Sequence, residues 1–243
     1  YNVTVATGDA TLPEVRLQTL SLWPRIFAVA PFVTESERTA IMTQAEPTLA
    51  ESRVKHIRQE GGAKSSSRTS YTAALPAAGD PIVSAVRSRA HRLVRLPDSH
   101  CEPLQVLRYR VGEHYGKHHD FIDPLMHRSL PETQALIDGG RFNRLATLLW
   151  SLQAPEAGGE THFPRAGGLE DKSFLDCTNT PEQAAIQGLR VPPRTGSATL
   201  FYNLRGDGAP DPYSMHAGCP PTEGTKWAVN HWVWNTELAV QRE

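Results

Sequence analysis

Apolar runs of strand length dominate the chain from residue 104 onward. Leu104–Tyr109 alternates in part between apolar and polar residues, and largely apolar runs follow at 145–152, 197–202 and 227–234. Turns rich in glycine and proline separate these runs, which is typical of short strands in a sandwich or barrel. The pattern therefore predicts a mainly β fold, either a sandwich or a jelly-roll barrel.

The first hundred residues carry signals for two helices among strand-like segments. Thr34 followed by Glu37 has the form of a capping box, and Pro47 ends the apolar stripe behind it. Asp80-Pro81 combines an N-cap with a proline at the first helical position, and apolar residues follow at helical spacing. We therefore expect two α-helices that support the strands.

Chain length and composition fit a single folded unit. With 243 residues, 39% of them hydrophobic and 21% charged, the chain has the make-up of an ordinary globular protein. We expect one domain over residues 1–243. Within it, strands and helices over about residues 17–100 would support a barrel core over about residues 101–236.

The balance of charges does not indicate a nucleic-acid partner. The formal net charge is −1, so there is no electrostatic case for nucleic acid as the main partner. The basic stretch Arg87–Arg95 lies on the second predicted helix, and we interpret it as a solvated face. No run approaches the ~18 consecutive apolar residues that a membrane-spanning helix needs.

Two short histidine-containing peptides carry the candidate chemistry. His118 and Asp120 are two positions apart, so on a strand they project to one face, while His119 points the other way. His216 lies in the second peptide, Ser214–Pro220. Two imidazoles and one carboxylate are the ligand set of non-haem Fe(II) oxygenases, which leaves open positions for oxygen and a chelating co-substrate. A loop of solvated polar residues is the alternative for the first peptide.

A lysine follows the second histidine peptide. Lys226 stands ten residues after His216, where its ammonium group could bond the far carboxylate of a chelating co-substrate. A surface lysine is the alternative interpretation. A structural zinc site is not favoured, because the three cysteines lack the paired spacing of such sites.

These peptides belong to an ordered set of motifs that resembles the prolyl 4-hydroxylases. The resemblance is to the plant and algal enzymes and to the catalytic domain of the collagen-type α subunit, over about residues 20–235. The matching segments are Trp23-Pro24-Arg25, Arg68-Thr69-Ser70, Leu104–Phe121, Gly158–Thr161, Gly196–Phe201, Ser214–Pro220 and Lys226-Trp227. The resemblance implies a double-stranded β-helix barrel, cupin-like, with N-terminal helices.

The resemblance also implies an activity and its cofactors. It implies an Fe(II)- and 2-oxoglutarate-dependent oxygenase of the procollagen-proline dioxygenase kind, which uses O2 and ascorbate. The iron ligands that it implies are His118, Asp120 and His216. It places Lys226 against the C5 carboxylate of 2-oxoglutarate, with further hydrogen bonds from Tyr109 and Thr161. Together with Lys226, the three ligands would form the catalytic centre.

A peptide groove is the softer part of the resemblance. The family positions that line it correspond to Arg68, Ser70, Glu102, Tyr115, Arg144 and Trp232. Aromatic side chains suit a proline-rich strand, because polyproline II is pre-ordered and presents flat rings. The implied reaction is hydroxylation of proline at C4 in proline-rich or collagen-like peptides. Trp232 as a core residue and Arg68 as a loop cation are the structural alternatives.

Two features depart from the family pattern. Plant-type members usually carry a histidine two residues after the groove tryptophan, where this chain has Trp234, which puts the exact substrate preference in doubt. The polar segment Ile122–Asn143 is longer than usual and ends in a glycine-rich stretch. We interpret this segment as a lid.

Cysteine positions bear on the compartment. Cys177 and Cys219 match cysteines that form a disulfide in the plant-type members. A disulfide would imply an oxidising compartment, which the resemblance makes the lumen of the endoplasmic reticulum or secretory pathway. Two unpaired thiols in a cytosolic enzyme are the alternative. The likeness to the short plant-type chains implies a monomer.

Two other functions share part of this residue set. A 2-oxoglutarate-dependent hydroxylase of another peptide side chain would keep every metal and co-substrate residue. A non-catalytic polyproline-binding module would keep Tyr115 and Trp232 but would need no iron. Product mapping on peptides and the dependence of turnover on His118 distinguish the three.

Overall fold

Two facing antiparallel sheets form the framework of the protein. The computed structural model describes residues 1–52, 67–75, 79–168, 177 and 188–238. The strands of the first half are β1 Asn2–Ala6, β2 Glu14–Leu22, β3 Arg25–Ala30, β4 Ala50–Glu51, β5 Tyr71–Leu75, β6 Leu104–Tyr109 and β7 Tyr115–His118. Those of the second half are β8 Arg144–Gln153, β9 Ala157–Gly158, β10 Thr161–Phe163, β11 Leu189–Val191, β12 Ala198–Tyr202, β13 His216–Gly218, β14 Pro221–Glu223 and β15 Lys226–Trp234. The α-helices are α1 Glu35–Ala45, α2 Pro81–Val94 and α3 Pro131–Ile137.

The strand order is that of a double-stranded β-helix, as predicted. The large sheet runs β1-β2-β3-β12-β8-β15-β6-β5-β4, and the small sheet runs β11-β10-β13-β7. Strands β9 and β14 form a further two-stranded ribbon. Strands β1 to β5 extend the large sheet at both ends, so the N-terminal third and the barrel share one hydrogen-bonded layer. Among the described residues, no helix is both long and apolar enough to cross a bilayer.

The large sheet is covered on one face by helices α1 and α2. Alternate residues of a strand point to opposite faces. On β15, Val229 and Val233 belong to the main core, which also contains Ile41 of α1 and Val86 of α2. Residues that point to the opposite face of the sheet, such as Ala228, pack inside the barrel. The central strands are therefore buried on both sides, which explains their nearly continuous apolar sequence.

Both predicted helix starts are confirmed by the structure. The Thr34 hydroxyl accepts a hydrogen bond from the Glu37 amide at 3.3 Å, and the Glu37 carboxylate accepts one from the Thr34 amide at 2.7 Å. Asp80 accepts bonds from the amides of Ile82 and Val83 at 2.8 and 2.9 Å. These caps satisfy amides that have no partner within the first turn.

The basic stretch of α2 was wrongly interpreted as a solvated face, because two of its arginines are buried. Arg87 is 2% and Arg89 is 1% exposed. Each reaches carboxylates outside its own helix: Arg87 contacts Asp98, and Arg89 contacts Asp9 and Glu37. The positive charges of Arg87 and Arg89 are therefore neutralised by ion pairs that form only in the folded protein.

Arg89 ties three separate segments together. Its Nη2 bonds Glu37 Oε1 at 2.8 Å, and its Nη1 donates to the carbonyl of Phe32. Burial would raise the pKa of Glu37, but the bonds from Arg89 and Thr34 hold that pKa below its usual value. Hydrogen bonds from Thr11 and Arg89 lower the pKa of Asp9 to about 2.

The segment between β7 and β8 contains the short helix α3. Its two ends are joined by Asn143, whose Oδ1 accepts from the amide of Ile122 and whose Nδ2 donates to the carbonyl of Ile122, both at 2.8 Å. Leu125 and Met126 are 77% and 66% exposed. The segment is thus a loop closed at its base, and its role as a lid stays a prediction.

Replacing Arg89 with methionine is expected to destabilise the fold by about 3–5 kcal/mol, because two carboxylates would be left facing each other without a cation. The difference from the unmodified chain should shrink as the pH falls below about 4, because Asp9, whose folded-state pKa is about 2, and Glu37, whose pKa is also lowered, lose the negative charges that Arg89 neutralises. Urea unfolding at several pH values measures it.

Arg92→Met is the matched control, since Arg92 is exposed on the same helix. Its effect should stay within about 0.5 kcal/mol. Equal losses from the two substitutions would contradict a specific role for the buried arginine.

Candidate active site

The two histidines of the candidate site face each other across neighbouring strands. In the small sheet, His118 of β7 is the register partner of His216 of β13, and their ring centroids are 4.3 Å apart. Asp120 follows just beyond β7. Its Oδ1 lies 3.6 Å from Nε2 of His118, and its Oδ2 lies 3.8 Å from Nε2 of His216. The structure therefore brings the three predicted side chains together.

Hydrogen bonds set the tautomer of both imidazoles. Nδ1 of His118 is 2.9 Å from the carbonyl oxygen of Gly116, and Nδ1 of His216 is 3.0 Å from that of Ser214. A carbonyl oxygen only accepts, so each Nδ1 carries the proton and each Nε2 presents a lone pair. Both lone pairs point toward the carboxylate of Asp120, which is the orientation that a metal ligand needs.

The ionisation of Asp120 and His216 also suits a cation. Burial would raise the pKa of Asp120, but His216, His118 and Arg144 outweigh it and hold that pKa well below its usual range. Burial, assisted by His118, lowers the pKa of His216 to about 4. The site thus presents a carboxylate and neutral imidazole at neutral pH, the protonation states in which these groups bind metals.

Residues beyond the three candidate ligands hold the aspartate in place. Thr147 of β8 donates a hydrogen bond to Oδ2 of Asp120 at 2.7 Å, and Nδ2 of Asn203 donates to Thr147 Oγ1 at 3.0 Å. Neither residue was predicted from the sequence. Thr147 is the one polar residue within the run Leu145–Trp150, and that exception was the available signal.

His119 lies outside the cluster, as its position on the opposite face predicts. Its ring packs on Phe121 with centroids 4.4 Å apart. Its Nε2 lies 3.2 Å from the carbonyl oxygen of Pro212. The alternation of the strand therefore separates the two adjacent histidines.

Lys226, Tyr109 and Thr161 converge beside β13, one step along from the histidines. Lys226 is paired in register with Tyr109, and Thr161 is paired with Gly218, two residues after His216. A Cβ atom built on Gly218 would lie 3.6 Å from the Tyr109 hydroxyl. The three side chains are 3–4% exposed. The structure thus places a buried ammonium and two hydroxyls near the histidine cluster.

The ammonium group of Lys226 is held by a glycine turn. Its Nζ donates a hydrogen bond to the carbonyl of Gly159 at 2.8 Å. Burial lowers the pKa of Lys226 to about 8, and the nearby Glu160 only partly offsets it. Gly158 has a φ of 74°, and a Cβ there would meet the Pro220 carbonyl oxygen at 2.6 Å. Only glycine fits this position.

The six predicted groove residues fall into separate groups. On one side of the cluster, Tyr115 stacks on His118 at 3.7 Å between centroids, and the guanidinium of Arg68 lies 4.6 Å from the centre of the Tyr115 ring. Ser70 is fully buried, with its hydroxyl 2.8 Å from that of Ser52. Ser70 therefore supports Arg68 from within, since Nε of Arg68 lies 3.4 Å from its hydroxyl.

On the other side, Glu102, Arg144 and Trp232 form one unit. Nε and Nη2 of Arg144 bond the two carboxylate oxygens of Glu102 at 2.6 and 2.8 Å. Nη1 of Arg144 reaches the carbonyl of Asp120 at 3.2 Å, and the guanidinium lies 3.8 Å from the centre of the Trp232 ring. Trp234 donates its indole N–H to Glu102 at 2.6 Å. The residue that departs from the family pattern is thus built into the site.

A disulfide joins Cys177 to Cys219, across a sequence separation of 42. Cys219 follows directly after β13, the strand that carries His216. The bond therefore links a distant segment of the chain to the strand at the centre of the site, as the resemblance implied.

The family model of the 2OG-Fe(II) oxygenase superfamily matches residues 104–234. Prolyl 4-hydroxylase 2 of Arabidopsis thaliana is 33% identical over 229 residues, which cover 94% of this chain and 73% of that protein. Prolyl 4-hydroxylase 5 of the same plant is 33% identical over 225 residues, 92% of this chain and 73% of that protein.

Solved structures show the same fold at lower identity. A viral collagen prolyl hydroxylase from Paramecium bursaria Chlorella virus 1, solved as a 2-oxoglutarate complex, matches with a TM-score of 0.58 at 21% identity. The match covers 87% of this chain and 96% of that chain. A prolyl 4-hydroxylase from Pseudomonas putida has a TM-score of 0.52 at 13% identity, over 86% and 91% of the two chains.

Thr147→Val is expected to weaken binding of a divalent metal by about 10- to 100-fold, because the substitution keeps the shape but removes the hydrogen bond that orients Asp120. Titration with Fe(II) under anaerobic conditions, or with Co(II), measures the change. Thr199→Val on the neighbouring strand β12 is the control and should bind normally. Unchanged affinity in Thr147→Val would show that the aspartate needs no such support.

Proposed function

Since the chain belongs to the 2OG-Fe(II) oxygenase superfamily and, within it, to the prolyl 4-hydroxylases, we propose that it hydroxylates C4 of proline in proline-rich or collagen-like peptides. The reaction couples this hydroxylation to oxidative decarboxylation of 2-oxoglutarate, with succinate and CO2 as products. The single observation that carries the proposal is the convergence of His118, Asp120 and His216 within 4.8 Å, in a chain 33% identical to prolyl 4-hydroxylases.

The donor set fits ferrous iron. The three residues offer two imidazole nitrogens and one carboxylate, which leave coordination positions for other ligands. When bound, iron together with 2-oxoglutarate and O2 supplies the oxidising chemistry that inserts oxygen into a carbon–hydrogen bond. The protein orients the ligands through the carbonyls of Gly116 and Ser214 and through Thr147.

Lys226, Tyr109 and Thr161 would hold the far carboxylate of 2-oxoglutarate. Two residues of a strand advance about 6.6 Å. The side chains beside Gly218 therefore lie within the length of a five-carbon diacid from His216. A buried ammonium bonds a carboxylate strongly because little water competes. The two hydroxyls would satisfy the remaining lone pairs of the carboxylate.

A peptide would lie over the face of Trp232 and along the edge of Tyr115, whose faces are covered by His118 and by the guanidinium of Arg68. Both rings are partly exposed and each is held by a guanidinium. Flat, rigid surfaces of this kind suit the rings of a polyproline II strand. Arg144 is already bonded to Glu102 and to the carbonyl of Asp120. It would therefore hold Trp232 and Asp120 in place as well as face the peptide.

The proposal extends to the cellular setting and to reactivation. The Cys177–Cys219 bond supports residence in an oxidising compartment, the lumen of the endoplasmic reticulum or secretory pathway. Ascorbate would restore iron that becomes oxidised in cycles without substrate. We also infer that the chain acts as a monomer, by analogy with the plant-type chains.

Turnover of 2-oxoglutarate against a panel of proline-rich, collagen-like and unrelated peptides tests the activity. We expect succinate release with the proline-rich or collagen-like peptides, with one oxygen atom added to proline in the product by mass spectrometry. His118→Ala should abolish turnover, whereas His119→Ala, the matched control outside the cluster, should retain most of it. Oxygen added to another side chain would favour the alternative hydroxylase, and binding without turnover would favour a polyproline-binding module.

Lys226→Met is expected to raise KM for 2-oxoglutarate by about 10- to 150-fold, because it removes a hydrogen bond to a charged group worth about 1.5–3 kcal/mol. Lys226→Arg should restore part of the loss.

In the unmodified protein the same KM should rise about tenfold per pH unit above the pKa of Lys226, which is about 8. Binding needs the charged ammonium, so the affinity is full below that pKa and is lost above it. A KM that stays constant up to pH 10, or that is unchanged in Lys226→Met, would contradict the role of Lys226 in binding 2-oxoglutarate.

A further inference from the structure

A second cluster of metal-binding side chains lies on the opposite face of the large sheet. His91 of α2, Cys101 and His231 of β15 have ligand atoms that all lie within 4.8 Å of one another. On β15, His231 shares the helix-facing side with Val229 and Val233, while Trp232 points into the barrel. The cluster is therefore separate from the iron site, although the two share one strand.

We propose that His91, Cys101 and His231 form a binding site for a zinc-class metal ion, which fastens helix α2 to the large sheet. A thiolate with two imidazoles is a donor set that zinc prefers. Sites with three protein donors complete a tetrahedron with water. The side chain of His91 is 11% exposed, which gives water access from that side.

The first supporting observation concerns His91. Its Nε2 lies 2.6 Å from Oδ1 of Asp98. A carboxylate only accepts, so Nε2 carries the proton and Nδ1 presents its lone pair toward Cys101, whose Sγ lies 3.7 Å away. Ordinary bond lengths to zinc at a tetrahedral angle place such a nitrogen and sulfur about 3.6 Å apart. A carboxylate behind a metal-binding histidine is the usual arrangement.

The second, independent observation is His231. It is completely buried, and within the described part of the chain neither of its ring nitrogens has a hydrogen-bond partner. Leaving a buried polar atom without a partner costs about 1–3 kcal/mol. Its ring lies 5.5 Å from that of His91, edge to face. A metal ion would give one of these nitrogens the partner that the protein does not provide.

The surrounding charges permit a cation here. Arg87 is the nearest positive group, but its Nε and Nη2 contact Oδ1 of Asp98 at 2.9 and 2.7 Å, so its charge is balanced. Without metal, burial raises the pKa of Cys101 to about 12, and binding a metal would release that proton. Cys101 is also the one cysteine left outside the disulfide.

Cobalt(II) is the probe that separates this site from the iron site, which has no sulfur. Metal-free protein, purified without reductant so that the disulfide stays intact, is titrated with Co(II). We expect one equivalent to produce sulfur-to-cobalt absorption in the near ultraviolet. This absorption should be retained in His118→Ala and lost in Cys101→Ser and His231→Leu, with His127→Leu as the control. Absence of the band in the unmodified protein, or its survival in Cys101→Ser, would overturn the proposal.

Two further measurements distinguish the loss of metal binding from the failure of a variant to fold. Asp98→Asn keeps the size of a partly exposed side chain that contacts both Arg87 and His91, and it should weaken Zn(II) binding by about 10- to 100-fold. In the His118→Ala background, saturating Zn(II) should raise Tm by about 5–10 °C. The same Zn(II) should leave Tm unchanged when Cys101→Ser is added. A rise in Tm that is independent of Cys101 would exclude the cluster.

Discussion

The pairing of β7 with β13 is the constraint on which the active site depends. It sets His118 opposite His216, and a shift of one residue would turn one imidazole to the other face of the sheet. The backbone carbonyls of Gly116 and Ser214 then fix both rings from the same two strands. Register thus determines which side chains meet, and local hydrogen bonds determine which nitrogen faces the metal.

Strands of the large sheet contribute polar side chains to the site that the small sheet forms. Thr147 reaches Asp120 from β8, and Lys226 begins β15 beside Tyr109. Each is buried and has a defined partner. The large sheet therefore has a mainly apolar face against helices α1 and α2 and an inner face on which the polar residues of the site stand among apolar ones such as Ala228.

Local sequence signals predicted both helix starts and the common face of His118 and Asp120, since Thr34 with Glu37 and His118 with Asp120 act over a few residues. Partners far apart in sequence were predicted only where the family resemblance supplied them, as for Cys177 with Cys219. Arg89 looked solvated because Asp9 and Glu37 lie more than fifty residues away from it. The cluster of His91, Cys101 and His231 was not predicted for the same reason. The spacing of cysteines indicates only those metal sites whose ligands are close together in the chain.

Strand β15 forms two surfaces with separate roles. Its odd-numbered residues, including His231 and Val233, face the helices, whereas Trp232 and Trp234 face the barrel. A substitution at Trp232 or Trp234 therefore changes the lining of the barrel and leaves the contacts between sheet and helices in place, and a substitution at His231 or Val233 does the reverse.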